Sequence, residues 1–219
     1  MTMKKLLVFA SGGKEPDDGG SGFQELVENS QLGVLEAEIV AVVSNHKHGG
    51  VRTRADKLGV PFIYFPLPRE AEDYQRIVAE TKADFVSLSG WLKMVKGLDP
   101  TRTINIHPGD AKRFGGAGMY GHFVHEAVME AYRAGTVKCS AVTIHFVTEK
   151  YDDGPDIFRY PVAIRPDDTS ETLAKRVNKI EHAWQSYITN LVVKGEISWD
   201  GVNPSSLKVP AEVPILEVR

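Results

Sequence analysis

The sequence has a single cysteine, Cys139, in 219 residues. That excludes an intrachain disulfide framework and any Cys-rich zinc site, and it fits a reducing compartment, for which the cytoplasm is the default. Long apolar runs are missing too. Leu6-Leu7-Val8-Phe9-Ala10 is too short for a membrane span, and the glycines and acidic residues after it make a poor signal peptide. Positive charge is not in excess: Lys+Arg 26 against Asp+Glu 29 leaves a formal charge of -3, so no global basic field exists to hold a polyanion by counterion release. No internal repeat or heptad pattern is present, which excludes solenoids and coiled coils. What remains is an ordinary globular composition, 42% hydrophobic and 25% charged, in a chain long enough to bury a core without staples. The expectation is a soluble protein with neither a membrane nor a nucleic-acid partner.

Apolar runs of strand length alternate with helical periodicity through the first half, an alternation that argues for βαβ units on a parallel sheet. Residues 6–10 read as the first strand, 11–22 as a polar loop, and the helical run starts at Phe23. Residues 39–43 are almost continuously apolar, as a strand covered on both faces requires. A helix over 52–58, a strand over 61–65, a helix over 70–81 and a strand over 85–89 continue the rhythm. In the second half Pro108 ends a strand over 103–108, because proline cannot continue a central ladder. A Gly-rich loop, a helix over 122–132 and strands over 141–147 and 157–164 follow. Asp168 and Glu171 stand at capping-box spacing before a helix whose Leu173, Val177, Ile180, Trp184 and Ile188 share one stripe. The pattern predicts a single-domain α/β fold, a Rossmann-like open sheet that is mostly parallel with helices on both faces. It places the domain at 1–193 and a Pro-interrupted tail, packed on it or trailing from it, at 194–219.

In open α/β sheets ligands bind beyond the carboxyl ends of the strands, and three loops there carry chemistry. In 11–22 the glycines let backbone N–H groups approach a phosphate at a helix N-terminus. The loop is neither a Walker loop nor a G-x-G-x-x-G fingerprint, and a flexible connector is the plain alternative. Asn105 and His107, two residues apart on a strand, point to one face and can converge on one atom. An amide and an imidazole together suit a developing oxyanion. The alternative is a turn asparagine and a hydrogen-bonded core histidine. Tyr151-Asp152-Asp153-Gly154-Pro155 offers a carboxylate to orient an imidazole or shuttle a proton, and is equally ordinary turn chemistry. His107, His122, His125 and His145 with Asp152 raise a metal reading, but no zinc spacing is present and no metal is expected.

The ordered series Asn105-Ile106-His107-Pro108, His145-Phe146-Val147-Thr148, Tyr151-Asp152-Asp153-Gly154-Pro155, Arg176-Val177 and Glu181-His182 resembles the formyl-tetrahydrofolate-dependent formyltransferases. The resemblance runs from Lys5 to Val193. It implies the formyltransferase fold and a transferase of purine biosynthesis and one-carbon metabolism, moving a formyl group from 10-formyltetrahydrofolate, as co-substrate, to the amine of glycinamide ribonucleotide. It further implies that Asn105 and His107 hold the formyl oxygen, and that Asp152 positions His107 and a water for proton transfer. Trp91, Leu92, Lys93, Met94 and Val95 would line the folate pocket, with Asp153 and Asp152 beside the pterin. Glu181 would contact the ribose hydroxyls, and Gly12, Gly13, Ser21 and Gly22 would cradle the phosphate with Arg69 near it. No metal or covalent intermediate is required, and the protein would be a monomer or homodimer. Direct attack needs no thiol, so Cys139 is expected as a buried apolar residue.

The chain departs from the family pattern in places. Its first loop is longer, Gly22 stands where asparagine is common, and Asn178 stands where a basic residue is common. Pro108-Gly109-Asp110-Ala111-Lys112-Arg113 replaces the usual Pro-Ser-Leu-Leu-Pro. The alternatives are a relative acting on another amine, such as an amino sugar nucleotide, and a catalytically silent folate- or nucleotide-binding module. Relatives acting on methionyl-tRNA carry a further basic domain that the short segment after Val193 does not supply.

Overall fold

The computed structural model describes residues 3–218; Met1, Thr2 and Arg219, at the ends of the two expected segments, lie outside the described residues. The first half contains β1 (Lys4–Phe9), α1 (Ser21–Gln31), β2 (Ala37–Ser44), α2 (Gly50–Leu58), β3 (Phe62–Tyr64), α3 (Ala71–Thr81) and β4 (Phe85–Ser89). β5 (Thr103–His107), α4 (Ala111–Phe114), α5 (His122–Arg133), β6 (Cys139–Phe146), β7 (Asp156–Ala163) and α6 (Ser170–Lys194) complete it, with a short 3-10 turn at Pro204–Ser206. The strands form one 7-stranded sheet in the order β3-β2-β1-β4-β5-β6-β7. β1 to β5 pair in parallel, and β6 and β7 add antiparallel, giving the mostly parallel open sheet that the alternation predicts.

Both faces of the sheet are covered, which is why Leu6 to Ala10 and Ile39 to Val43 read as apolar runs. In β1 and just beyond it, Leu6, Val8 and Ala10 face Phe23 and Leu26 of α1 and Val51 of α2. Leu7 and Phe9 face the other way, toward Tyr74 and Ile77 of α3 and Trp91. Fully burying one such side chain stabilises by about 1.5–3 kcal/mol. A third cluster joins β5–β7 to α5, α6 and the later residues Ile197, Trp199 and Val213. Trp199 lies against Phe146, with ring centroids 5.8 Å apart, and Ile215 bridges Arg159 on β7 in parallel. The chain after α6 thus shields the β7 edge.

The strand order reverses between β1 and β4, which opens a crevice at their carboxyl ends. The two loops meet there, the Ser11 N–H donating to the Gly90 carbonyl at 2.9 Å.

Several local expectations change. α1 starts at Ser21 with Gly20 as its N-cap at φ +81, so Ser21 and Gly22 belong to the first helical turn and not to the loop. Within the expected Gly-rich loop stands α4, capped by Asp110, whose Oδ1 accepts from the Lys112 N–H at 3.0 Å. The strand placed at 141–147 starts earlier, at Cys139, and the one placed at 61–65 shrinks to Phe62–Tyr64. Cys139 is half-buried, because it begins β6 ahead of the strand's buried stretch. The capping box of α6 is Thr169 with Thr172, one residue later than Asp168 with Glu171. Asp168 is taken by Arg176, whose Nη1 and Nη2 approach its carboxylate to 2.6 and 2.8 Å. Those bonds hold its pKa far below the ordinary carboxylate range. On the α6 stripe Leu173, Val177 and Ile188 are fully buried, while Ile180 and Trp184 are partly buried.

Candidate active site

The turn after β5 is fixed to β6 by the Thr143 hydroxyl, which donates to the Gly109 carbonyl at 2.7 Å. That anchors the end of the strand carrying Asn105 and His107. His107 is 3% exposed, and its Nε2–H donates to the Phe114 carbonyl at 2.9 Å, which leaves Nδ1 as the unprotonated nitrogen of the neutral ring. Nδ1 lies 3.9 Å from Asp152 Oδ2, which itself accepts from the Gly116 N–H at 2.9 Å. The other carboxylate oxygen, Oδ1, is 3.4 Å from the Asn105 amide nitrogen and 3.3 Å from His145 Nε2. His145 donates from Nδ1 to the Phe146 carbonyl at 2.7 Å, so its Nε2 accepts from the Asn105 amide at 3.1 Å. Asp152 sits at φ +50, an uncommon conformation for a residue with a side chain.

Asn105, His107 and Asp152 therefore come together, with one correction. The separation from His107 is too long for a direct hydrogen bond, and the nearer imidazole to Asp152 is His145. His145, present in the resemblance series and the metal reading but without an assigned role there, is a further member of the site. Its signal is the register Asn105↔His145 across β5 and β6, which appears only once their antiparallel pairing is known. Burial lowers the His107 pKa, and the Asp152 charge only partly offsets this. For Asp152 burial acts upward, but the neighbouring His145 and His107 rings and the Gly116 N–H together bring the pKa below its ordinary value. The site at neutral pH is a neutral imidazole beside a carboxylate anion.

A cavity of about 410 Å³ opens over these groups, within the range that holds a small organic ligand. Trp91, Leu92, Lys93, Met94 and Val95 form one wall, and Tyr120, His122 and His125 another. Trp91 is fixed from behind by Phe9, with centroids 5.3 Å apart, and by Phe65, stacked at 6.3 Å. Asn178 and Glu181 enter from α6. Desolvation pushes the Glu181 carboxyl up to about 7, against the one hydrogen bond from Asn178 at 3.3 Å. His125 is buried with Nδ1 unpartnered, and burial brings its pKa down to about 4.

Other residues singled out in the sequence lie elsewhere. Asp153 is exposed and outside the cavity wall; only its carbonyl is engaged, by Lys112. Arg69 also stands outside the wall, donating to the Phe65 carbonyl at 3.0 and 2.9 Å with its guanidinium over the Phe65 and Trp91 rings. After burial, the charges of Lys14, Lys93 and Arg69 all lower the pKa of His46, so basic groups gather beside the first loop. Gly12, Gly13, Ser21 and Gly22 surround the start of α1, beside the cavity and not in its lining. Ser21 Oγ lies 3.1 Å from His182 Nε2. A side chain at Gly22 would collide with Ser89 Oγ and Gln185 Oε1, which explains glycine in place of asparagine. Among the described residues no group of three or more His, Cys, Asp or Glu is arranged to hold a metal ion. Nor is any of their helices long and apolar enough to cross a membrane.

The sequence model for formyl transferase matches residues 4–190. The chain belongs to the formyl transferase family. It is 36% identical over 212 residues to the chloroplastic phosphoribosylglycinamide formyltransferase of Arabidopsis thaliana, covering 91% of this chain and 69% of that protein. Against phosphoribosylglycinamide formyltransferase of Bacillus subtilis (strain 168) the identity is 31% over 192 residues, covering 83% and 91% respectively. The crystal structure of glycinamide ribonucleotide transformylase 1 from Symbiobacterium toebii superposes with a TM-score of 0.79 at 24% identity, over 94% of each chain, a likeness of fold. This formyl transferase family member is thus a transferase with the fold of its relatives.

Proposed function

We propose that the protein transfers a formyl group from 10-formyltetrahydrofolate to the amine of glycinamide ribonucleotide, yielding formylglycinamide ribonucleotide and tetrahydrofolate in purine biosynthesis. The observation that carries this reading is the convergence of Asn105, His107 and Asp152 at one cavity, in a chain whose relatives are named for that reaction. The amine nitrogen attacks the formyl carbon, a C–N bond forms, and the carbonyl electrons move to oxygen. The Asn105 N–H that reaches Asp152 at 3.4 Å is the more weakly held of its two donors and turns to the oxyanion. His107 supports the same oxygen from Nδ1 once it is protonated, and Asp152 stabilises the imidazolium.

The Nδ1–Oδ2 gap of 3.9 Å lets one water or amine nitrogen sit about 2.8 Å from both. The amine proton leaves through that point, and the same path returns a proton to the folate nitrogen as its bond to the formyl carbon breaks. The 91–95 wall takes the folate, with Asp152 beside the pterin. Glu181 accepts from the ribose hydroxyls, and the N–H groups at the start of α1, with Gly12, Gly13, Ser21 and Gly22, take the phosphate. The lone half-buried thiol fits a reducing compartment, which we read as the cytoplasm. Purified protein mixed with 10-formyltetrahydrofolate and glycinamide ribonucleotide should consume the formyl-folate. Turnover on an amino sugar nucleotide, with none on glycinamide ribonucleotide, would overturn the choice of amine.

A further inference from the structure

Lys112 stands on α4, inside the segment that replaces the family's usual sequence after the β5 histidine. Its Nζ lies 2.8 Å from the Gly154 carbonyl oxygen and 3.3 Å from those of Asp152 and Asp153. An ammonium has three donors and no acceptor, and here three successive carbonyls face it. Asp156 Oδ1, a buried oxygen without a hydrogen-bond partner, is 3.8 Å away and adds a charge that keeps the ammonium in place. Lys112 is itself partly exposed and absent from the cavity wall, so it does not meet the substrate.

The turn that Lys112 gathers carries Asp152, whose left-handed backbone conformation is disfavoured for a residue with a side chain. The same segment grips that turn a second time, through the Gly116 N–H on Asp152 Oδ2. One hold is on the backbone and the other on the carboxylate, so neither the turn nor the side chain can swing without breaking a contact to residues 112–116.

We propose that Lys112 is a positioning residue for formyl transfer: its ammonium clamps the 152–154 turn and keeps the Asp152 carboxylate within reach of Asn105, His107 and His145. The inference rests on the formyl-transfer reading of the site. A carboxylate displaced by about 1 Å costs up to a hundredfold in rate, which sets the scale of the expected loss.

Two variants test it, Lys112→Met, which keeps the length and removes the donors, and Lys112→Arg, which restores donors and charge. For Lys112→Met, kcat should fall roughly ten- to a hundredfold with KM for both substrates unchanged. The acid limb of its kcat/KM profile, set by His107, should move to lower pH, because an Asp152 carboxylate that drifts from the imidazole supports its protonated form less. Lys112→Arg should recover most of the loss. A Lys112→Met enzyme with wild-type kcat and an unmoved acid limb would overturn the proposal. Hydrogen exchange supplies a readout independent of activity: the amides of Gly116 and residues 152–154 should exchange faster in Lys112→Met, and unchanged protection would equally overturn it. If wild-type protein fails to turn over the two substrates, the functional reading falls while exchange still decides the clamp. Should Lys112→Met not fold, Lys112→Gln, shorter and uncharged, carries the same measurements.

Discussion

Burial lowers the His107 pKa and raises that of Asp152, and only at the carboxylate do the neighbouring groups outweigh it. Both pKa values lie below their ordinary positions, so the pair keeps its working form, neutral imidazole and anionic carboxylate, throughout the neutral range. The kcat/KM profile should be level above pH 6.5 and fall only below it, as His107 takes up a proton. The Asp152 charge raises the His107 pKa, so Asp152→Asn should move that limb to lower pH as well as slow the reaction; a limb that moves upward would contradict the assignment. His125 gives a separate acid response. Its pKa falls from 6.5 in the unfolded chain to about 4 in the fold, so the unfolded state takes the proton first and stability is lost as pH drops through that window, by about 3 kcal/mol in all. His125→Phe should lose correspondingly less stability between pH 7 and pH 4 in urea titrations. Equal losses in the two proteins would show that His125 is not the group responsible.

The elements were legible in the sequence wherever burial is two-sided. Leu6 to Ala10 and Ile39 to Val43 show as apolar runs because helices cover both faces, and the order of runs and helical stretches carries the parallel half of the sheet. Element ends were less legible, since competing side-chain partners set them. Asp168 and Glu171 match a capping box in spacing, yet Arg176 claims Asp168 and the cap passes to Thr169. Thr169→Ala should therefore cost about 0.5–2 kcal/mol in denaturant melts, while Glu171→Ala, at an exposed position, should cost almost nothing; the reverse ranking would restore the capping box read from sequence. The candidate site shows the same division. Asn105 and His107 could be placed on one face from strand geometry alone, whereas the contacts of Asp152 with His145, Gly116 and Lys112 depend on an antiparallel register and a short helix that hydrophobic periodicity does not encode.

For the whole molecule, a formal charge of -3 is compatible with an anionic small substrate because the basic groups are local. Lys14, Lys93 and Arg69 gather near the carboxyl ends of β1 and β4, where the strand order reverses and the start of α1 leaves N–H groups without side-chain caps. We propose residues 194–218 as a packed tail of the same unit, contributing Ile197, Trp199 and Val213 to the core behind the site. The architecture thus brings a cavity of about 410 Å³, the uncapped N–H groups at the start of α1 and a polar trio to one edge of one sheet. The most direct test of that account is the rate of formyl transfer from 10-formyltetrahydrofolate to glycinamide ribonucleotide by wild-type protein and by His107→Ala. The account predicts turnover by the wild type and a loss of roughly two to four powers of ten in the variant. A variant that turns over as fast as the wild type would contradict it.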